Sequence, residues 1–141
     1  ILPLLQVMGK QIVHHGDAGN GQHCKLANQI TACGILMSAV EALIYAQKSG
    51  LDPHKMLQSV GNGASASVVL QVLMPRVLAG NFDPGFYIQH YVKDMDLALT
   101  ECACLGLTLP ALQLARNLYQ RCVDAGMSAL GTHALYQLYQ Q

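Results

Sequence analysis

A chain of 141 residues is long enough for one domain with a substantial core, yet only 11% of its residues are charged, against about a quarter in an ordinary globular domain. Eight basic and eight acidic residues give a net charge of zero, and the basic ones are scattered, so the sequence does not predict a nucleic-acid partner. The low charge fits either a membrane protein or a domain that buries much of its surface against other domains or subunits. We favour the second interpretation and expect no membrane partner, because the most apolar stretch, 30–46, still contains Ser38 and Glu41.

The five cysteines and six histidines do not form a metal-binding pattern. There is no CxxC pair, and Cys102 and Cys104 would point about 200° apart on a helix, so they cannot hold one metal ion together. His14 and His15 are adjacent in a predicted strand and would face opposite sides. The cysteines therefore predict reduced, mostly buried thiols in a cytoplasmic protein, and no metal site is expected.

The first 16 residues differ in character from the rest of the chain. The sequence begins with Ile1 inside an apolar amphipathic pattern, which leads us to expect a piece of a longer protein. Residues 2–10 predict a short helix with a proline in its first turn, and the β-branched run 11–15 predicts a single strand. Because a lone strand leaves both edges unpaired, we expect it to pair with strands that lie upstream. Residues 1–16 then form the end of a preceding domain, and 17–141 form a domain of their own.

A long helix dominates the second part. A periodic segment over 22–49, closed by Gly50 as its C-terminal cap, predicts a helix roughly 40 Å long. Its middle is apolar on every side, which predicts a central helix that is buried all round.

The remaining elements are also predicted to be helices, so the expected fold class is an all-α multi-helix bundle around the long helix. Asp52 as N-cap and Pro53 at the first helical position predict a helix that ends near Val60. The other predicted elements are helices over 64–73 (ended by Pro75), 86–105, 109–125 and 128–139, with a turn and a loop over 76–84.

The glycine-rich turn 16–21 (GDAGNG) lies between the predicted strand and the long helix. The dinucleotide-binding motif is GxGxxG, whereas the order here is GxxGxG and no second strand follows the helix. Two interpretations remain open. The turn is either a flexible elbow between two domains or a place where the backbone comes close to a ligand at a helix N-terminus.

Lys25, Asn28 and Gln29 share one face of the long helix, since they are three and four residues apart. Lys25 is expected near the first turn, where the helix dipole disfavours a cation and would lower the pKa of the lysine, as would burial in a cleft. A lowered pKa suits a general acid near neutral pH. The spacing by itself fits a solvated surface lysine equally well.

The segment 93–98 (KDMDLA) is a second candidate for chemistry. Lys93 and Leu97 share one helix face, as do Asp94 and Ala98. On pattern alone the segment is typical of an ordinary charged helix face.

Three segments taken together resemble the β-hydroxyacid dehydrogenases, a family that includes 3-hydroxyisobutyrate dehydrogenase and tartronate semialdehyde reductase (2-hydroxy-3-oxopropionate reductase). Residues 19–29 (GNGQHCKLANQ) resemble the family's GxGxxxKxxN(N/Q) motif. Residues 82–86 (FDPGF) and 93–98 resemble its GF…KDxxLA stretch, and 8–16 (MGKQIVHHG) resemble the last helix and strand of its nucleotide-binding domain. The segments follow the family's order and cover essentially the whole chain.

The resemblance implies reversible hydride transfer between NAD or NADP and a short β-hydroxyacid or semialdehyde. It implies that the cofactor is bound mainly by the protein's own N-terminal Rossmann domain, of which 1–16 would be the remnant. The all-helical domain, 17–141, would then supply substrate and catalytic groups and assemble as a homodimer or homotetramer.

The resemblance also assigns roles to individual residues. Lys25 would be the catalytic lysine, which donates a proton to the carbonyl oxygen in reduction. The residues that would bind the substrate are Asn28, Gln29, Gly19 and Gly21. Those that would lie on the cofactor side of the cleft are Lys93, Phe86 and Asp94. His90 and the pair Tyr91 and Val92 depart from the family's pattern, which bears on the shape of the pocket.

Two other hypotheses remain. A non-catalytic helical oligomerisation module would explain the low charge and the apolar long helix equally well. A related dehydrogenase of the 6-phosphogluconate class would have a similar helical domain, although this chain is short for one. A βαβ pattern with GxGxxG upstream would favour an enzyme, and any other upstream domain would favour the module. The sequence leaves open which hydroxyacid is used, and whether with NAD or NADP.

Overall fold

The computed structural model describes residues 1–141 as seven α-helices with no strand, which confirms the predicted all-α class. The helices are α1 (Leu2–Met8), α2 (Asn20–Lys48), α3 (Pro53–Val60), α4 (Val69–Leu78), α5 (Ile88–Cys104), α6 (Pro110–Asp124) and α7 (Leu135–Leu138). Helix α2 packs against α3, α4, α5, α6 and α7, so it is the central element of the bundle, as predicted.

The ends of α2 are set by glycines. Gly19 precedes the helix with a φ of 98°, a left-handed conformation that residues with a Cβ rarely adopt. At the other end Gly50 has a φ of 82°, and Leu51 N–H donates to Ala46 O at 2.9 Å. This is the Schellman arrangement that a glycine after a helix predicts.

The prediction that α2 is buried all round is wrong, because the helix buries one stripe and exposes the other. The buried residues of α2 are Gln29, Cys33, Leu36, Ala39, Val40, Leu43 and Ala46, which recur every three to four residues as a single helix face requires. The opposite face carries exposed apolar side chains, of which Tyr45 is the most exposed at 73%. Apolar residues on all sides of this helix therefore reflect two apolar surfaces, of which only one is covered within the chain.

By length and composition alone, α2 could also cross a membrane, since an 18-residue window has a mean hydropathy of 1.5. The central helix of a compact bundle passes the same test. The packing of α2 against five other helices is what a core helix requires, and it supports the interpretation favoured from the sequence.

Helix α3 begins as predicted. The Asp52 carboxylate accepts hydrogen bonds from the backbone N–H groups of His54 (2.8 Å) and Lys55 (3.2 Å), and Pro53 occupies the first turn. These bonds satisfy two of the donors that a helix N-terminus leaves free.

Helix α4 begins later than the predicted range 64–73. Ser67 lies just before it, and its hydroxyl accepts a hydrogen bond from Leu70 N–H at 3.2 Å. A serine cap at this point stabilises a start near Val69, and residues 61–67 form turns instead.

Helix α4 also continues through Pro75 to Leu78, so the prediction that it ends before the proline is wrong. Its first turn is π-helical, and Met74 N–H donates to Val69 O, five residues back. Pro75 lies where the hydrogen bonding changes from the π-helical to the α-helical pattern. It begins the α-helical turn, so its missing N–H does not remove a helical hydrogen bond. The turn and loop predicted over 76–84 are shortened accordingly.

Helices α5 and α6 complete the core against α2. Arg116 on α6 holds Asp96 on α5 with two hydrogen bonds, Nε to Oδ1 at 2.7 Å and Nη2 to Oδ2 at 3.1 Å. The largest fully buried side chains are Tyr119, Leu43, Met74, Ile88, Met95, Leu112 and Leu135. Three of the five cysteines are buried in this core and none is in a disulfide, which agrees with the prediction of mostly buried thiols.

The strand predicted over 11–15 is not formed. A strand needs a partner for its N–H and C=O groups, and no other segment of this chain pairs with it. Helix α1, just before it, has no buried residue, so the first 18 residues add nothing to the core.

The last helix was predicted over 128–139, but regular structure begins only at Thr132 with a short 3₁₀ turn. Residues 128–130 form a turn and a bend, whereas Gly131 is extended and forms an isolated bridge with Tyr87 in the loop before α5. Gly131 N–H donates to Phe82 O at 2.9 Å, and Thr132 N–H donates to Phe86 O at 3.1 Å. These bonds fix the loop that leads into α5.

We predict that Gly131→Ala destabilises the chain, because an added Cβ would lie 2.5 Å from the His133 ring and 3.1 Å from Asp83 O. His133 is buried and Asp83 O is backbone, so neither moves aside without cost, and we expect a loss of about 1–3 kcal/mol in urea unfolding. Gly34→Ala is the matched control, since a Cβ on this α2 residue meets nothing within 4 Å. Equal stability of the two variants would contradict the tight packing at Gly131.

Candidate active site

A cleft of about 380 Å³ lies between the N-terminal parts of α2 and α5. Its lining residues have polar or charged side chains, with Phe86 as the exception. The residues that line it are Lys25, Gln29, Phe86, His90, Lys93 and Asp94. Five of these six are residues that the sequence analysis selected, and the fold brings them together from segments more than 50 positions apart.

The Asp94 carboxylate is the centre of the cleft's hydrogen-bond network. Lys25 Nζ donates to Asp94 Oδ2 at 2.7 Å, and Gln29 Nε2 donates to the same oxygen at 2.8 Å. The other oxygen, Oδ1, lies 3.3 Å from Lys93 Nζ. Asp94 is only 2% exposed, whereas the side chains of Lys25 and Lys93 are 61% and 65% exposed. The acid is therefore part of the protein interior, and the two ammonium groups lie between it and solvent.

The prediction of an ordinary charged helix face is wrong for Asp94. It belongs to the buried stripe of α5, with Tyr91 and Met95 beside it and Ala98 one turn later. The neighbouring positions Lys93 and Leu97 are exposed, as their shared helix face predicts. The aromatic and aliphatic neighbours hold Asp94 inside, and the lysines and glutamine supply the polar partners that a buried carboxylate needs.

Two opposing effects set the pKa of Asp94. Burial by itself raises the pKa of the carboxyl, because it disfavours the charged form. Hydrogen bonds from Lys25, Gln29 and Lys93, with the positive charge of Lys25, outweigh burial and bring the pKa below its ordinary value. Asp94 is therefore a carboxylate at neutral pH and acts as an acceptor only.

Lys25 lies further into α2 than the sequence predicted. The helix starts at Asn20, so Lys25 is in the second turn, and the field of a helix dipole falls off within the first. The dipole of α2 therefore has little effect on the Lys25 ammonium. The strongest electrostatic influence on this lysine is the carboxylate 2.7 Å from its nitrogen.

The other predicted substrate residues lie outside the cleft lining. Asn28 is exposed, and its Nδ2 donates to Gln29 Oε1 at 3.2 Å, which holds the Gln29 amide with its nitrogen toward Asp94. Gly19 and Gly21 form the turn at the start of α2, and a Cβ on either would meet nothing within 4 Å. The left-handed φ of Gly19 makes its role conformational in this chain.

His90 is the one lining residue that the sequence analysis did not select. It is four residues after Phe86, three before Lys93 and four before Asp94. Spacings of three and four place His90 next to Lys93 and Asp94 on α5, and Phe86 lies in the loop just before that helix, so the position of His90 could have been found from the sequence once Lys93 was a candidate.

A larger cavity of about 840 Å³ lies on the other face of α2, against α3 and the turn before α4. Its walls are mainly apolar, and Glu41 is its only charged residue. This composition suits covering by another apolar surface and not proton transfer. No group of three or more His, Cys, Asp or Glu residues lies close enough together to hold a metal ion.

Comparison with known proteins places the chain among dehydrogenases. Residues 19–139 match the family model described as NAD-binding of NADP-dependent 3-hydroxyisobutyrate dehydrogenase. The chain is 44% identical to the uncharacterized oxidoreductase YkwC of Bacillus subtilis, over 98% of this chain and 48% of that protein. It is 37% identical to 2-hydroxy-3-oxopropionate reductase of Escherichia coli, over 97% of this chain and 47% of that protein.

The fold has a close counterpart among solved structures. The structure of 3-hydroxyisobutyrate dehydrogenase from Salmonella typhimurium matches with a TM-score of 0.91 over 97% of this chain and 48% of that one, at 24% identity. The chain spans about half the length of the curated relatives it matches.

We predict that Asp94→Asn destabilises the chain by about 1–3 kcal/mol at pH 7, because a neutral amide no longer attracts Lys25 and Lys93 and cannot accept every hydrogen bond that the buried carboxylate accepts. The folded pKa of Asp94 lies below the unfolded value of about 3.9. Its contribution to stability is therefore present above that value and is lost as the pH falls through the folded pKa. Urea unfolding between pH 7 and 3 should show this loss in the parent chain and not in Asp94→Asn. Asp17→Asn, at an exposed acid, is the control and should behave as the parent does.

Proposed function

The chain belongs to the 3-hydroxyisobutyrate dehydrogenase family, and from this premise we propose that it forms the all-helical catalytic half of an NAD(P)-dependent β-hydroxyacid dehydrogenase. The observation that carries the proposal is the Lys25 ammonium, which lies 2.7 Å from a buried carboxylate and opens onto a cleft. A non-catalytic helical module would have no need to bury Asp94 and surround it with two cations.

Lys25 is the proposed general acid and base. In reduction its ammonium donates a proton to the carbonyl oxygen of the substrate, and in oxidation the neutral amine takes the proton of the hydroxyl group. The Asp94 carboxylate accepts a hydrogen bond from this nitrogen at 2.7 Å and holds it in one place. Gln29, bonded to the same carboxylate oxygen, restricts the Asp94 side chain, so the position of the proton donor is determined by both helices.

The charge of the cleft suits a short carboxylic acid. Two lysines and one aspartate leave a balance of one positive charge (2 − 1 = +1). Lys93 shares its charge with Asp94 Oδ1 at 3.3 Å and remains open to solvent, so it can attract the carboxylate of a substrate. A volume of about 380 Å³ is within the range of small-molecule sites.

The same cleft can hold only part of a dinucleotide, which is much larger. Phe86, 37% exposed, offers an apolar ring on which a flat ring can lie, and Lys93 is beside it in the cleft. We infer that these two residues contact the nicotinamide end of NAD or NADP, and that a nucleotide-binding domain elsewhere in the protein holds the remainder. When bound, NAD(P)H supplies the hydride in reduction and NAD(P)⁺ accepts it in oxidation.

We also propose that a second copy of this chain covers the apolar cavity on the outer face of α2, so that the enzyme is a homodimer or homotetramer. Tyr45 and Leu51 are 73% and 54% exposed there, and exposed apolar surface of this kind marks an interaction site.

We predict that Lys25→Ala in the full-length enzyme lowers kcat/KM by about 10²- to 10⁴-fold, the usual contribution of a positioned proton donor. We expect a modest fall in thermal stability, because Asp94 loses one partner but keeps Gln29 and Lys93, and water can replace the mostly exposed Lys25 side chain. Lys55→Ala is the matched control at an exposed lysine of α3 and should keep full activity. Unchanged turnover of Lys25→Ala would rule out its assigned role.

We predict that Ala42→Asp shifts the chain toward monomers in light scattering, because it introduces a charge into the apolar cavity on the outer face of α2. Ala111→Asp is the control, since Ala111 is exposed in the first turn of α6, where an acid is tolerated. A parent chain that is monomeric at all concentrations would contradict this interface.

A further inference from the structure

His90 lines the cleft, and its imidazole has no assigned task in the proton transfer. The ring is packed against two aromatic neighbours. The Phe86 ring centroid is 6.3 Å away and tilted, and the Tyr87 centroid is 5.4 Å away in an edge-on arrangement with an interplanar angle of 73°. No protein group makes a hydrogen bond or salt bridge with either ring nitrogen, whereas every other polar residue of the cleft bonds to Asp94 or is Asp94 itself. His90 is thus the polar group of the cleft that is free to bind a ligand.

The position of His90 separates it from the reacting atoms. Lys25 and Gln29 enter the cleft from α2, while His90 lies in the first turn of α5, one turn before Lys93. A substrate oxygen at Lys25, a carboxylate at Lys93 and the nicotinamide on the Phe86 ring leave His90 as the lining side chain that can meet the third substituent of a short acid. Its imidazole can donate and accept hydrogen bonds.

We propose that His90 is a specificity-determining residue that selects substrates with a polar group, above all a hydroxyl, on the carbon beside the carboxylate. This inference rests on the proposed function of the cleft. His90 is exposed in this chain, and the domain that holds the dinucleotide would cover it. In the covered cleft a hydroxyl forms a hydrogen bond with the imidazole, whereas a methyl group displaces water from the ring without replacing its hydrogen bond. Sites that hydrogen-bond a substrate hydroxyl discriminate strongly against analogues that lack it. The favoured substrate class is therefore that of 2-hydroxy-3-oxopropionate, and the 2-methyl analogue, 2-methyl-3-oxopropionate, is disfavoured.

The test uses the full-length enzyme and both aldehydes as substrates, with the variants His90→Leu and His90→Gln. We expect His90→Leu to lower kcat/KM for the hydroxyl substrate by about 10- to 100-fold, mainly through KM, and to leave the methyl substrate unchanged or improved. His90→Gln keeps a donor and an acceptor and should retain most of the preference. His54→Leu, at an exposed histidine of α3, should change neither value. Equal losses for both substrates, or an unchanged ratio in His90→Leu, would overturn the proposal.

A binding measurement separates this proposal from the proposed function. Thermal shift of the parent and His90→Leu with glycerate and with 3-hydroxyisobutyrate reports recognition of the hydroxyl without any turnover. If the binding preference depends on His90 but neither aldehyde is reduced, the specificity role stands and the dehydrogenase function fails. If both aldehydes are reduced but neither the kinetic nor the binding preference depends on His90, the function stands and the specificity role fails. Absence of both turnover and binding would reject the two together.

Discussion

The buried carboxylate of Asp94 is the constraint on which the rest of the site depends. An ionised acid that is 2% exposed is tolerated only when partners replace the water it has lost. Those partners come from two helices: Lys25 and Gln29 from α2, and Lys93 from α5. The register of α2 against α5 is therefore determined by a polar contact as well as by the apolar core. A shift of either helix by one residue would leave the charge uncompensated.

The same contact explains why the lysines can be exposed and still ordered. Each ammonium lies beside Asp94 and also lines the cleft, which is the arrangement that a proton donor needs. The opposite wall is held differently. Thr132 N–H binds Phe86 O, and Tyr119 Oη donates to Thr132 O at 2.9 Å in the core. Residues far apart in sequence thus support the loop that carries Phe86 and leads to His90. A substitution near Gly131 should therefore alter the position of Phe86 in the cleft.

Local signals predicted much of the fold. The Asp52 and Pro53 start of α3, the glycine end of α2 and the all-helical class each follow from a few neighbouring residues. The predictions that were wrong concern residues whose structure depends on partners far away in the sequence or outside this chain. The burial of Asp94 depends on Lys25, 69 positions away, and no local pattern distinguishes it from a surface acid. Pro75 is accommodated by a π-helical turn whose register comes from packing. The run 11–15 has strand-forming residues but nothing in this chain to pair with. His90 was expected only to bear on the shape of the pocket, as a departure from the family's pattern, because a lone histidine predicts no particular chemistry.

The two faces of α2 carry different surfaces, and this arrangement limits what the chain can do by itself. One face ends at a polar cleft whose lysines and aspartate carry a net charge of +1 (2 − 1 = +1). The other face meets an apolar cavity of about 840 Å³. A proton donor that is 61% exposed works in bulk water, where electrostatic stabilisation of a transition state is weak. Hydride transfer also requires that water be excluded from the reacting carbon. The proposed chemistry therefore needs a second wall over the cleft, and in the proposed enzyme the domain that binds the dinucleotide would bring that wall and the hydride to Lys25 together.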